Sequence, residues 1–284
     1  MSFLDSDFNS EEHFFKEKNN IEEEISKYKE LIENGNIYNS LDSIEEITQL
    51  CIEYEKYEDG LIFIERLLAI APYNSEHWLK KGIIKNGLYK FDESLECFNK
   101  ALSLNPADSE ILIEKAAAEE NLGLINQAKE SLNLALLTDP KNEETLFSLG
   151  LLYQHQEEYN AAIKYFKHTL EADKDFSDAY YELGYCYENL DQLNKALNCY
   201  DKYLELEPYS ANGWYNRGIV LVKMNKLEKA IDSYDLAIAI KEEFSSAWFN
   251  KGNALADLGR LQQAIECFKK TYELDEYDEA SCFN

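Results

Sequence analysis

Phe147, Tyr181, Tyr215, Phe249 and Phe283 follow one another at intervals of 34 residues. A fixed period of that length means one supersecondary unit written repeatedly, each copy able to bury its apolar face only against the next. Framed so that Leu41, Ser75, Ser109, Glu143, Ser177, Ala211 and Ser245 open successive units, seven complete repeats run from Leu41 to Asp278 without insertion or deletion. The length of 284 residues therefore sets a number of copies rather than a number of globular domains.

Each column of the repeat has a physical reading. The fourth position holds Ile44, Trp78, Leu112, Leu146, Tyr180, Trp214 and Trp248; the eighth holds Thr48, Gly82, Ala116, Gly150, Gly184, Gly218 and Gly252. The twentieth is small throughout, from Gly60 and Ser94 to Ala264, and the twenty-fourth is large, from Ile64 and Phe98 to Phe268. Positions 4, 8 and 11 share one face of a first helix, and positions 17, 20, 24 and 27 share one face of a second. Small residues at 8 and 20 predict a close approach of the two backbones. Thr48 breaks the small column, and Gly60 in the same repeat reads as the compensating exchange of size. Leu67 and Tyr203 stand at a normally small position, which predicts adjusted packing to the next repeat.

Punctuation agrees with this reading. Gly123, Asp191, Asn225 and Gly259 occupy the fifteenth position, where a left-handed residue would end the first helix. Pro72, Pro106, Pro140 and Pro208 stop the second helix, and Asn74, Asp108, Asn142, Ser210 and Asp278 stand where the next helix needs a cap. Lys174, Glu242 and Glu276 replace the proline, so those second helices are expected to run longer.

The run Trp214-Tyr-Asn-Arg-Gly218 with Ala230, Tyr234 and Ala237, repeated as Trp248-Phe-Asn-Lys-Gly252 with Ala264 and Phe268, resembles the tetratricopeptide repeat. The resemblance covers Leu41 to Asp278. It implies an all-α fold, a right-handed superhelical α-solenoid of antiparallel helix pairs, whose first helices line a concave groove. The expected organisation is an acidic N-terminal segment at 1–19, mobile or forming a short leading helix. A degenerate capping helix or partial repeat follows at 20–40, then the seven repeats at 41–278 and the start of a truncated eighth at 279–284.

Composition narrows the function. With 55 acids against 28 bases the net charge is −27, which argues against nucleic acid or an anionic membrane surface as partner. No run is long and apolar enough to cross a bilayer. The N-terminus has neither the basic start nor the apolar stretch of a secretory signal. Cys97, Cys199 and Cys267 are separated by multiples of 34, so they fill one equivalent site in different repeats and read as buried free thiols of a cytoplasmic protein. The four histidines are scattered, and no phosphate loop or nucleophile elbow is present. Neither catalysis nor a metal or other cofactor is expected.

Function then falls to the second stripe of the first helices, positions 2, 5, 9 and 12. Position 5 becomes an aromatic ladder in Phe147, Tyr181, Tyr215 and Phe249, joined by Tyr185 and Asn253 at position 9 and by Asn216 and Asn250 at its edge. Aromatic faces with amides suit an extended peptide, since an amide donates to and accepts from a main chain at once. The aromatics have a second reading, as packing against the neighbouring repeat. Position 2 is acidic in Asp42, Glu76, Glu110, Glu144 and Asp178 and neutral in Asn212 and Ser246. Tetratricopeptide domains that clamp acidic chaperone tails use clustered groove bases, whereas Lys80 and Lys223 form no cluster here; a neutral or basic peptide segment of a partner protein is expected. Asn216 and Asn250 also resemble the asparagine ladder of O-linked N-acetylglucosamine transferases. With the unfinished eighth repeat, this makes a targeting arm of a larger enzyme the alternative. An end-to-end homodimer through the uncapped flank of Ile265, Phe268 and Tyr272 is a further expectation.

Overall fold

The computed structural model describes residues 22–30 and 41–281, with side chains as far as residue 274. The expected segment 1–19 and Phe283 lie outside the described residues. Among the described residues the regular structure is entirely α-helical, and it falls into two compact units, residues 1–140 and 141–284. The first unit holds α1 (22–30) and three hairpins: α2 (Leu41–Glu53) with α3 (Tyr57–Ile70), α4 (Ser75–Gly87) with α5 (Phe91–Leu104), and α6 (Ser109–Asn121) with α7 (Ile125–Thr138). The second holds four: α8 (Glu143–His155) with α9 (Tyr159–Ala172), α10 (Ser177–Asn189) with α11 (Leu193–Leu206), α12 (Ala211–Lys223) with α13 (Leu227–Ile240), and α14 (Ser245–Asp257) with α15 (Leu261–Ser281). Every second helix packs on its own first helix, and α3, α5, α9, α11 and α13 pack also on the first helix of the following hairpin.

Close packing inside a hairpin comes from one contact. The ring at position 24 lies directly over the glycine at position 8: a methyl group on Gly150 would sit 2.3 Å from Phe166, and one on Gly218 would sit 2.4 Å from Tyr234. The five position-8 glycines face Phe98, Phe166, Tyr200, Tyr234 and Phe268. The two repeats without that glycine carry Thr48 and Ala116, and their position-24 residues are the aliphatic Ile64 and Leu132. The size exchange for Thr48 is therefore with Ile64, not with Gly60 as the sequence suggested. A methyl group on Gly60 would instead meet Cys51 and Ile84.

The turns repeat as closely as the helices. Position 15 has positive φ in all seven hairpins: besides Gly123, Asp191, Asn225 and Gly259 it holds Glu55, Tyr89 and Glu157 with φ of 56–59°. The side chains of Asn74, Asp108, Asn142 and Ser210 accept hydrogen bonds from the first-turn amides of α4, α6, α8 and α12. Phe176 and Phe244 stand at the same position without capping α10 and α14; their rings pack on Phe147 and Tyr215 instead.

Two expectations are corrected. Replacing proline by Lys174 and Glu242 does not lengthen α9 and α13, which keep the 14 residues of the proline-bounded second helices. At Glu276 the helix does continue, so α15 runs 21 residues and passes Asp278 without turning. Tyr203 at the normally small position is accommodated by Gly213 of the next repeat, where a methyl group would lie 2.7 Å from its ring. Its hydroxyl donates to Ser210 Oγ at 3.1 Å.

Successive hairpins are also tied at one recurring place that the sequence reading did not single out. The indole N–H of Trp78, Trp214 and Trp248 donates to the carbonyl of Pro72, Pro208 and Glu242 at 2.8–2.9 Å. Lys81, Arg217 and Lys251 lie over those indoles at 5.2–5.6 Å. The same cations pair with Glu65, Asp201 and Asp235 of the preceding second helix. At the start of the first unit, Ile25 of α1 is buried with Ile44, Ile47, Cys51, Phe63 and Ile64, and Glu22 pairs with Lys56 at 2.8 Å.

Candidate functional site

All eight residues singled out from the sequence belong to the second unit, on α8, α10, α12 and α14. The position-5 aromatics each press one face into the array. Phe147 meets Phe166 and Phe176 at 5.5 and 4.9 Å, and Tyr181 meets Tyr200 and Tyr203 at 5.8 and 5.1 Å. Tyr215 meets Tyr234 and Phe244 at 6.0 and 4.8 Å, and Phe249 meets Phe268 at 5.9 Å. None of the four is fully buried, and Phe249 keeps 49% of its surface exposed. Each ring thus packs on its neighbours, as the second reading from the sequence expected, while keeping part of its surface exposed. Tyr185 is 40% exposed and lies edge-on to Tyr159 at 6.3 Å; Asn253, at the equivalent position of α14, is exposed.

The asparagines have a partner that the sequence reading did not foresee. Asn216 Nδ2 donates to the hydroxyl of Tyr181 at 2.7 Å, and Asn250 Nδ2 donates to that of Tyr215 at 3.0 Å. Each bond joins a first helix to the first helix before it, across 35 residues. Burial, reinforced by the nearby Glu182 carboxylate, holds the Tyr181 phenol above its ordinary range, so it remains a neutral hydroxyl.

The charged members of this face cluster on α8 and α10. Glu144 and Asp178 are exposed. Glu182 is half-buried and accepts from Gln154 Nε2 at 2.6 Å. Burial pushes its carboxyl above the ordinary range, more than the Gln154 hydrogen bond and His155 pull it down. Glu188 accepts from Lys223 Nζ at 2.9 Å and lies 3.5 Å from the buried Tyr200 hydroxyl. Gln154, Glu182 and Glu188 were not singled out from the sequence. Their signal was available, because they stand at positions 6 and 12 of the stripe that holds the asparagines. On α12 and α14 the equivalent face carries Asn212, Asn216, Ser246 and Asn250, so it is neutral.

Other features do not assemble a chemical site. Cys186 and Cys199 are buried, and burial pushes their thiols up to about 12 and about 11, which leaves them protonated and unreactive at neutral pH. Away from the position-5 rings, a cleft of about 480 Å³ between α13, α14 and α15 is lined by Trp248, Lys251, Arg260 and Lys270. Those cations are already paired with Asp235, Glu228 and Glu242. Among the described residues no group of three or more His, Cys, Asp or Glu side chains is placed to hold a metal ion, and no helix is long and apolar enough to cross a membrane.

Family models described as tetratricopeptide repeat match residues 76–108, 145–180, 177–210, 211–244 and 245–280. The chain belongs to the tetratricopeptide repeat family. Among solved structures, MamA is 29% identical with a TM-score of 0.56, over 58% of this chain and 96% of that one. PilF of Pseudomonas aeruginosa is 16% identical with a TM-score of 0.62, over 74% and 97%. YrrB, described as a TPR protein with an unusual peptide-binding site, is 20% identical with a TM-score of 0.50, over 65% and 95%. The likeness to PilF and YrrB is one of fold. Comparison with curated proteins returns no significant match. A tetratricopeptide repeat array is a scaffold for protein–protein interaction, and this chain is built as one.

Proposed function

We propose that the protein is a non-catalytic scaffold that binds an extended, neutral-to-basic peptide segment of a partner protein along the first-helix face of its second unit. The observation that carries this reading is the row of half-open side chains Phe147, Tyr181, Tyr215 and Phe249 running beside Asn216 and Asn250. Aromatic rings supply apolar contact area at low entropic cost, and the amides meet the main chain. Glu144, Asp178 and Glu182 at one end favour a ligand cation there, while the neutral α12–α14 end reads main chain. The peptide-binding site described for YrrB supports the class of ligand. The free buried thiols Cys51, Cys97, Cys186, Cys199 and Cys267 fit the reducing cytoplasm.

The test is an array of random 12-mer peptides spanning acidic to basic net charge, probed with wild type and with Asn216→Ala, Asn250→Ala. Neutral and basic members should bind. The double variant should lose about 10- to 100-fold in affinity, as expected for two main-chain contacts. Preference for acidic members, or binding indifferent to the two asparagines, overturns the reading.

A second reading, self-association through α15, has its own observation. Leu261, Ile265 and Tyr272 are 62%, 46% and 64% exposed. In preceding repeats the columns of Ile265 and Tyr272 hold buried residues such as Ile163, Ile231, Leu204 and Ile238. A second copy packed on that flank would cover it.

A further inference from the structure

We propose that Tyr181 and Tyr215 are positioning residues for ligand binding, aiming the amides of Asn216 and Asn250 through their hydroxyls. This rests on the peptide-binding reading above and assigns the part of the site that orients it.

The internal repeats supply the comparison. Within the second unit, Tyr181 and Tyr215 at position 5 face Asn216 and Asn250 at position 6 of the next repeat, 35 positions on. Tyrosine followed by asparagine occurs twice, as Tyr181 with Asn216 and Tyr215 with Asn250, and both pairs are hydrogen-bonded at 2.7 and 3.0 Å. In the second unit Phe147, which lacks a hydroxyl, is followed by Glu182 rather than asparagine; Phe249 is followed by Asn284, which lies outside the described residues. Glu182 turns instead to Gln154, whose Nε2 donates to it. Among the described residues of the second unit the hydroxyl and the amide therefore occur together.

The geometry gives the pairing a use. A surface asparagine has several rotamers, and a ligand must select one. One Nδ2 proton of each amide is spent on the phenol, which restrains the χ2 plane. Among the described residues neither amide has another side-chain hydrogen bond, so Oδ1 and the second N–H remain for a ligand main chain. The phenol ring cannot shift to follow the amide. Tyr181 is wedged between Tyr200 and Tyr203, and Tyr215 between Tyr234 and Phe244.

Tyr181→Phe and Tyr215→Phe remove the hydroxyls and keep the rings. The probe is the tightest-binding member of the random 12-mer array, resynthesised with fluorescein and titrated against the full chain. Each substitution should weaken binding about 3- to 10-fold with unchanged melting temperature. In the Asn216→Ala background, Tyr181→Phe should cost nothing more, since it acts through the missing amide. Additive losses, or none, overturn the proposal. A ligand-free measurement separates the two readings. The side-chain amide NMR signals of Asn216 should move in Tyr181→Phe while those of Asn250 stay, and the converse should hold for Tyr215→Phe. Unmoved signals sink the positioning role whatever the groove binds. Signals that move, with affinity indifferent to the asparagines, sink the peptide reading and the role in binding with it.

Discussion

Gly150 and Gly123 show how differently one residue type is used in this chain. Gly150 is required by space, because the Phe166 ring occupies the place of its missing side chain. Gly150→Ala should therefore cost about 1–3 kcal/mol as overpacking. Gly123 has nothing within 4 Å but a φ of +73°, so Gly123→Ala should cost about 1 kcal/mol through the backbone alone. Chemical denaturation of both variants, with Gly150→Ala the less stable, checks this. The same register explains Thr48 with Ile64 and Ala116 with Leu132. Sequence reading saw the columns but chose the wrong partner for Thr48, because spacing shows which residues share a helix face and not which ring lies over which Cα. Glu182 supplies a test by pH. Its carboxyl is raised by burial, so the folded state binds this proton more tightly than the unfolded chain. The associated stability is full below the ordinary carboxylate range and is lost as pH rises through the raised value. Glu182→Gln keeps an acceptor for Gln154, so it should raise the melting temperature near pH 7, with the gain vanishing toward pH 4.

At the scale of elements, helix limits follow from local chemistry only where that chemistry is strong. Capping by Asn74, Asp108, Asn142 and Ser210 was legible because each side chain needs only its own next turn. Asn142→Ala should cost about 1 kcal/mol, read by thermal melting. The positive φ at Glu55, Tyr89 and Glu157 was not legible from those residue types; the repeat imposes the turn on residues that do not favour it. Loss of proline had opposite outcomes at Glu242 and Glu276. After α13 the chain turns, with Phe244 seated on Tyr215 and Glu242 receiving the Trp248 indole N–H. At Glu276 the helix instead continues to Ser281.

For the whole molecule, the net charge of −27 makes association with a basic peptide sensitive to salt. Raising ionic strength from about 0.05 to 0.5 M should weaken binding of a basic 12-mer mainly by slowing association, which stopped-flow fluorescence would resolve; a salt-independent rate would contradict the charge argument. If α15 is an interface between copies, light scattering should show mass rising with concentration, and Ile265→Lys should hold the protein monomeric. The period of 34 determined the all-α hairpin architecture, its register and the stripe on which the candidate site lies, because helical geometry converts spacing directly into facing. Only the tertiary structure decided which atoms meet across that spacing. A hydroxyl and an amide 35 residues apart become a hydrogen-bonded pair once two first helices lie side by side, and nothing in either helix alone encodes that contact.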